Sequence, residues 1–404
     1  MKPLRIAIYT PSFLPKIGGA EIFHHNLATR LVQAGHRVTV IAPRPQVAAF
    51  RKKQWTVPYH LQPHPTRPWR WLHKHPFLGR LLCRRTLSAL QKCHEFDVWH
   101  VVNTFPTGYA VLDWAAECQG SPVPFLIRPV GDDVLPTTNA AAQRDDQDIT
   151  KLWLNRLKEA PCVISLSNQM SEELQSLGVT KIAEIPNAVD LERFSSDEHQ
   201  ALRNELRQQW QATPKTVVLL CVARHHPQKN LPHLLRVLSH LKKHDVQLIL
   251  AGRDTEHLRP MADELGLAKL VRFTQIVAED IPVFPPDELI ALYNAADIFV
   301  LPSLLEGFST ALLEAAAAGL PLVAGDGPGP KDFLDHGQHG LLIDPTDEQA
   351  WIDALQELIL SAENRSEWSK KSRRRAKQYS WSRTVKAYEA IYQQLVTPIP
   401  QEPH

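Results

Sequence analysis

Residues 304–326 read LLEGFSTALLEAAAAGLPLVAGD. Glu306-Gly307-Phe308 predicts a turn, Ser309 or Thr310 an N-cap, and Ala311 to Ala318 a helix of strong formers. Gly319 ends that helix and Pro321 blocks its continuation, so Leu322 to Ala324 starts a strand. Just upstream, Asp297 to Pro302 (DIFVLP) is a short apolar run between an acid and a proline, the pattern of a buried strand. Strand, glycine turn, helix start and strand place free backbone N–H groups and a positive dipole end at the edge of a parallel sheet. A phosphate fits such an edge. Glu306 precedes the helix and Glu314 lies about a turn inside it, so the two carboxylates can reach different hydroxyl-bearing parts of one ligand.

The same grammar recurs through the chain. Arg5 to Thr10 (RIAIYT), a loop ending in Gly18-Gly19, a helical pattern from Ala20 to Ala34 and Arg37 to Ala42 (RVTVIA) make a β-α-β unit without G-x-G-x-x-G. Val217 to Ala223 (VVLLCVA) is a continuous apolar run that suits a buried parallel strand. Arg224-His225-His226-Pro227-Gln228-Lys229-Asn230 follows, then a helix from Leu231 to Leu241. Two cations at that turn, Arg224 and Lys229, can bind a diphosphate and offset charge on a departing one. At strand ends in the first half, His100 and Asn103 are candidate acceptor contacts, although for His100 taken alone a packed core histidine is the plainer reading.

These words resemble family 4 of the retaining nucleotide-sugar glycosyltransferases, which have the GT-B fold. Glu306 and Glu314 with their flanking residues, Gly319-Leu320-Pro321 and the turn Gly325 to Gly329 look like its E-x7-E signature. PSFLPKIGGAE and AGHRVTVIAP look like its opening, and residues 224–230 like its G-R-x-x-x-x-K-[GN] word, with Ala223 where glycine is usual. Asn187-Ala188-Val189-Asp190 with Phe194 resembles the N-G-V-D-x-x-x-F stretch that ends its first domain. The resemblance implies two doubly wound, Rossmann-like α/β domains facing an interdomain cleft. Residues 1–194 would be the acceptor side, 195–213 a connection, 214–379 the nucleotide-sugar side, and 380–397 a helix crossing back to the first domain.

The implied reaction transfers a sugar from a nucleotide diphosphate-sugar, UDP- or GDP-linked, to an acceptor hydroxyl with retention of configuration. The acceptor would be a glycan or a lipid-linked molecule. Glu314 would bind the ribose, Glu306 would lie near the sugar, and Arg224 and Lys229 would stabilise the leaving diphosphate. Gly19 and the backbone of Phe308, Ser309 and Thr310 would face phosphate. No cofactor or metal is implied. One departure stands out: Val130 occupies the position where the family commonly has a sugar-contacting histidine, which implies an altered donor, replacement of that sugar contact by Arg128 or Asp132, or lost activity. A donor-binding subunit without transfer activity, or a GT-B epimerase, would share much of this pattern.

Composition adds bounds. The 404 residues, 44% hydrophobic, suit two domains with their own cores. Five scattered cysteines without C-x-x-C fit a reduced cytosolic interior, and no apolar run approaches a membrane span. Cytoplasmic placement, with peripheral membrane contact, is expected. Residues 1–94 carry 16 Lys/Arg and one acid, and the remainder 29 Lys/Arg and 42 acids. The proline-rich part of that basic quarter, residues 43–76, reads as loop. Residues 78–93 read as a helix with leucines on one side and Arg80, Arg84, Arg85 and Lys92 among the others. With Trp55, Trp69 and Trp71 interleaved, residues 51–93 suit an anionic membrane surface better than nucleic acid, for which no reading motif is present.

Overall fold

The computed structural model describes residues 2–66, 69, 72, 75–118, 123–131, 133–134, 153–195, 199–275 and 283–397. The chain forms two compact units. The first takes residues 1–186 and the chain from Trp381, and the second takes the described residues between Asn187 and Ser380.

The first unit is built on seven strands, β1 (Arg5–Tyr9), β2 (Arg37–Pro43), β3 (His60–His64), β4 (Val98–Val102), β5 (Phe125–Arg128), β6 (Val163–Ser165) and β7 (Ile182–Glu184). Their order is β3-β2-β1-β4-β5-β6-β7, all parallel. Apolar residues fill the central strands because both faces of a parallel sheet are covered. β1 and β4 are buried almost throughout. The strand order reverses between β1 and β4, so the loops after these two strands flank the crevice where ligands bind in open α/β sheets.

The second unit repeats the plan with six parallel strands, β8 (Val217–Val222), β9 (Val246–Ala251), β10 (Val271–Thr274), β11 (Ile298–Leu301), β12 (Leu322–Gly325) and β13 (Leu341–Ile343). The order is β10-β9-β8-β11-β12-β13, with the reversal between β8 and β11. A continuous core runs through it, with Trp351, Tyr293, Phe299 and Phe333 among its largest side chains. The polar stretch after residue 195 contributes a helix, Gln200–Gln209, which packs on the helix Asp287–Ala295. Arg207 fastens it, donating to the Ala295 carbonyl at 2.8 Å and to Asp297 at 3.1 Å.

Two expectations for the basic quarter are corrected. Residues 44–52 and 60–64 are not loop: Arg44–Lys52 is a helix and His60–His64 the edge strand β3, with a loop at 53–59 between them. Pro45 is tolerated because the first helical turn has no amide partner to lose, and Pro63 because an edge strand can spare a donor. Trp55 and Trp69 also face inward. Trp55 is buried, and Trp69 stacks on His64 at 4.5 Å and donates to Tyr9 Oη at 2.7 Å. Trp71, with Arg67, Arg70 and Lys74, lies outside the described residues.

The helix Pro76–His94 buries Gly79, Cys83 and Leu87, not the leucine side that its pattern suggested. Phe77, Leu78 and Leu81 are exposed. Arg80 and Arg84 turn toward the buried carboxylate of Asp113, each at 2.6 Å, so they hold this helix to its neighbour. Both are therefore removed from the basic surface that composition suggested.

The helix Trp381–Val396 completes the first unit. Trp381, Thr384, Tyr388 and Tyr392 form its buried stripe, spaced three or four residues apart. Glu389 accepts from His36 at 3.0 Å, and the Arg30 guanidinium lies 4.6 Å from the Trp381 ring centre. No helix among the described residues is long and apolar enough to cross a membrane.

Candidate active site

In the second unit the loops after β8 and β11 meet. Gln228 lends its carbonyl to the Leu304 amide at 2.8 Å. Beside that bond, Lys229 Nζ sits 2.5 Å from Glu306 Oε1. Lys229 is held in place by a 3-10 turn, Pro227–Lys229, capped by the His226 side chain. Asn230 then takes a left-handed conformation, φ 52°, and its side chain donates to the Pro345 carbonyl at 2.8 Å. Glu306 is 9% exposed and Lys229 22% by side chain, so the pair is partly shielded and stronger than a surface ion pair. Arg224 stands at the same turn with an exposed side chain.

A third loop supports the second. The Gly329 amide donates to the Glu306 carbonyl at 3.1 Å. A Cβ at Gly329 would lie 2.5 Å from that oxygen, so only glycine allows the approach.

The helix Thr310–Ala318 begins at Ser309, whose Oγ accepts from the Leu312 amide at 3.3 Å. Ser309 is thus the cap. The Phe308, Ser309 and Thr310 amides have no acceptor among the described residues, as the first amides of a helix have none within it. Thr310 Oγ1 accepts from Asn187 Nδ2 at 3.3 Å, which ties the Asn187-Ala188-Val189-Asp190 stretch to this helix start.

Glu314 lies one turn in and is 8% exposed. Its Oε2 accepts from Tyr293 Oη at 2.8 Å. Burial pushes the Glu314 carboxyl up to about 7, while the Tyr293 hydrogen bond pulls the other way. Five expected features, Arg224, Lys229, Glu306, the amides at 308–310 and Glu314, therefore converge on one edge of one sheet. Tyr293 and Asn187 were not read from sequence as site residues. For Tyr293 the signal is a polar aromatic on the inner face of an otherwise apolar helix, DELIALYNA.

The first unit treats its own candidates differently. Gly19 opens the helix Gly19–Gln33 and is exposed. A Cβ on Gly18 would lie 2.5 Å from the Glu21 carboxylate, which accepts from Ser12 Oγ at 2.5 Å and folds the preceding loop onto the helix start. His100 and Arg128, read as candidate ligand contacts, are 0% and 1% exposed. His100 Nδ1 pairs with Tyr392 Oη at 2.7 Å, and Arg128 Nε donates to Tyr388 Oη at 2.9 Å with its guanidinium 3.9 Å from the Phe23 ring centre. Both secure the C-terminal helix. Burial lowers His24 and His100 well below the usual histidine range, with Arg128 adding to it, so both rings are neutral.

Asn103 is half-buried at φ 68°, its amide bonded to the Arg128 carbonyl at 3.0 Å. Val130 presents its amide to Asp133 Oδ1 at 2.9 Å, and Asp133 also accepts from Thr104 at 2.7 Å. Asp133, also missed, organises this turn. Asp132 lies outside the described residues.

Comparison with known proteins agrees with this arrangement. A family model described as "Glycosyltransferase Family 4" matches residues 17–193, and one described as "Glycosyl transferases group 1" matches residues 203–375. The chain is 29% identical over 246 residues to D-inositol 3-phosphate glycosyltransferase of Corynebacterium jeikeium, covering 58% of this chain and 57% of that protein. It thus spans little more than half the length of that relative. It is 27% identical over 375 residues to the GDP-mannose-dependent alpha-(1-6)-phosphatidylinositol monomannoside mannosyltransferase of Mycobacterium tuberculosis, covering 88% and 89% of the two chains. Among solved structures, Anabaena Alr3699/HepE in complex with UDP-glucose superposes with a TM-score of 0.72 at 20% identity, over 97% of this chain and 99% of that one. At that identity the likeness concerns the fold.

Proposed function

Because the chain belongs to glycosyltransferase family 4 and has the GT-B fold, we propose that it moves a hexosyl group from a nucleotide diphosphate-sugar to an acceptor hydroxyl, with retention and without a metal. The observation that carries this reading is the junction of the loops after β8 and β11. There Lys229 meets Glu306, Arg224 stands exposed on the loop after β8, and the helix after β11 starts with amides that have no acceptor among the described residues. Amides at 308–310 and the helix dipole offer fixed partial positive charge to a phosphate. Arg224 and Lys229 supply full charges that gain strength as negative charge grows on the leaving diphosphate. Glu306 neutralises Lys229 across their ion pair. An arriving diphosphate shares that cation and leaves Glu306 beside the sugar. Ionised Glu314, oriented by Tyr293, accepts from the ribose hydroxyls.

The relatives act with GDP-mannose and bind UDP-glucose, respectively, which supports a UDP- or GDP-sugar as donor. Relatives named for inositol phosphate and phosphatidylinositol mannoside chemistry support a glycan or lipid-linked acceptor. A cytoplasmic protein meeting an anionic membrane fits the exposed Phe77, Leu78 and Leu81 and the neighbouring Arg85 and Lys92.

The test is a melting panel of UDP, GDP, ADP and their sugar conjugates on the wild type and Arg224→Ala, followed by a transfer assay with the nucleotide-sugar that binds. One nucleotide should raise the melting temperature of the wild type and not of Arg224→Ala. The transferred sugar should keep its anomeric configuration by NMR. A folded protein that no nucleotide stabilises would refute the donor site. Stabilisation without transfer to any glycan or lipid acceptor would favour a donor-binding subunit.

A further inference from the structure

A second concavity lies in the first unit, at the carboxyl ends of β2 and β3. It measures about 720 Å3, and Arg44, Val47, Ala48, Arg51, Lys52 and Pro63 are among its lining residues. Arg44, Ala48, Arg51 and Lys52 share the exposed stripe of the helix Arg44–Lys52, while Val47 and Phe50 secure its other side in the core. Three cations on one stripe repel one another, and Arg44 at the amino end of the helix also opposes the helix dipole. None of the ion pairs among the described residues relieves them, and residues 43–94 contain no acid at all. Arg51 is steadied only by the Leu61 carbonyl, at 3.5 Å. The groove therefore carries positive charge at a sheet edge suited to ligands, with an apolar floor and no counter-ion among the described residues.

We propose that this groove binds a phosphate ester, its anion held by Arg44, Arg51 and Lys52 and its carbon portion against Ala48, Pro63 and Pro65. Two guanidinium groups and an ammonium match the forked acceptors of a phosphate better than a carboxylate's two oxygens. The apolar floor favours an ester over bare inorganic phosphate. The ester can be a lipid headgroup or a soluble molecule, and the chemistry of the groove is the same for both. The groove belongs to the first unit and the loops after β8 and β11 to the second, and the proposal concerns binding and does not depend on sugar transfer.

The experiment compares the full chain with Arg44→Gln/Arg51→Gln/Lys52→Gln and with a matched control, Lys2→Gln/Arg37→Gln/Lys181→Gln. The control removes three exposed charges before the amino ends of β1 and β7 and at the start of β2. One arm titrates glycerol 3-phosphate by calorimetry. The other measures cosedimentation with phosphatidylcholine vesicles with and without phosphatidylglycerol. Circular dichroism and melting curves confirm that each variant is folded, and the single variant Arg51→Gln replaces the triple variant if that one fails to fold.

The expected result is a loss of about ten-fold or more in apparent affinity for the groove variant in at least one arm, with the control within about two-fold of wild type. Loss in the vesicle arm alone identifies a lipid headgroup, and loss in the calorimetric arm identifies a soluble ester. Equal loss in groove variant and control would show that diffuse charge does the binding and overturn the proposal. Absence of wild-type binding in both arms would overturn it as well.

Discussion

The two sheets share one strand order over six strands, with the reversal between the third and fourth, yet their equivalent carboxyl edges differ in what they offer a ligand. After β8 and β11 the second unit shows an exposed Arg224, a shielded Lys229–Glu306 pair and free helix-start amides. After β4 and β5 the first unit spends its polar side chains internally, with His100 and Arg128 sealed under Tyr392 and Tyr388. Topology alone therefore marks where a site can be, and only the destination of each polar group tells whether one is there. The difference is one of access: His100 and Arg128 are shut away from solvent, whereas Arg224 is exposed.

The largest effects should follow from the charged pair. Lys229→Ala removes a cation that strengthens its hold as the diphosphate departs, so kcat/KM for transfer should fall about a hundred- to a thousand-fold. Glu306→Gln should slow turnover while nucleotide binding persists, since Lys229 is then freed for phosphate. Calorimetry beside steady-state kinetics separates the two. If Lys229→Ala keeps full activity, the second unit's edge is no more a site than the first unit's.

Tyr293→Phe should have an intermediate effect and a distinctive pH signature. If, as proposed, ionised Glu314 binds the ribose, nucleotide affinity should fall as pH drops through about 7, the value to which burial pushes its carboxyl. Losing the Tyr293 hydrogen bond removes the influence that lowers it, and the midpoint should move to higher pH. Because the folded value lies above the unfolded one, the folded state binds the extra proton between about pH 4.5 and 7. Stability from this group is therefore full at the acid end and is lost as pH rises through the window, by at most about 1.4 kcal/mol per unit. A pH-independent nucleotide affinity would remove Glu314 from the ribose role.

In the first unit the counterpart is Tyr388→Phe. It takes a partner from a buried guanidinium, which costs about 1–3 kcal/mol. Chemical denaturation should show this, with nucleotide binding to the second unit unaltered. Hydrogen exchange should rise first along residues 381–396.

How much of this was legible in sequence depended on range. The strands around both reversals were readable because continuous apolar runs such as VVLLCVA have few other uses. The words at 224–230 and 306–314 are local and charged in a fixed order, so their convergence could be expected. Tyr293 bonding Glu314 and Tyr392 bonding His100 span 21 and 292 residues, and nothing local announces such pairs. The basic quarter misled for a related reason. Composition counted Arg80 and Arg84 as surface charge, whereas one buried acid, Asp113, claims both. Prolines at 45 and 63 read as loop because their tolerated positions, a helix start and an edge strand, are defined only once neighbours are placed.

The smallest effect gives the finest comparison. Ser167 and Ser309 are twin N-caps, each 3.3 Å from the amide three residues on, in the first and second unit respectively. Both are buried. Replacing either by alanine removes one capping bond and should cost about 1 kcal/mol of stability. The two variants should nevertheless part company in ligand binding. Ser309→Ala loosens the amides at 308–310 that face the phosphate, so nucleotide affinity should drop by about three- to ten-fold, equivalent to about 0.7–1.4 kcal/mol. Ser167→Ala caps a helix, Asn168–Ser176, that carries no proposed donor contact, and its nucleotide affinity should match wild type. Equal affinities for both variants would mean that the helix start at 309 stabilises the fold without gripping phosphate. That outcome would shift the donor reading onto Arg224, Lys229 and Glu314 alone.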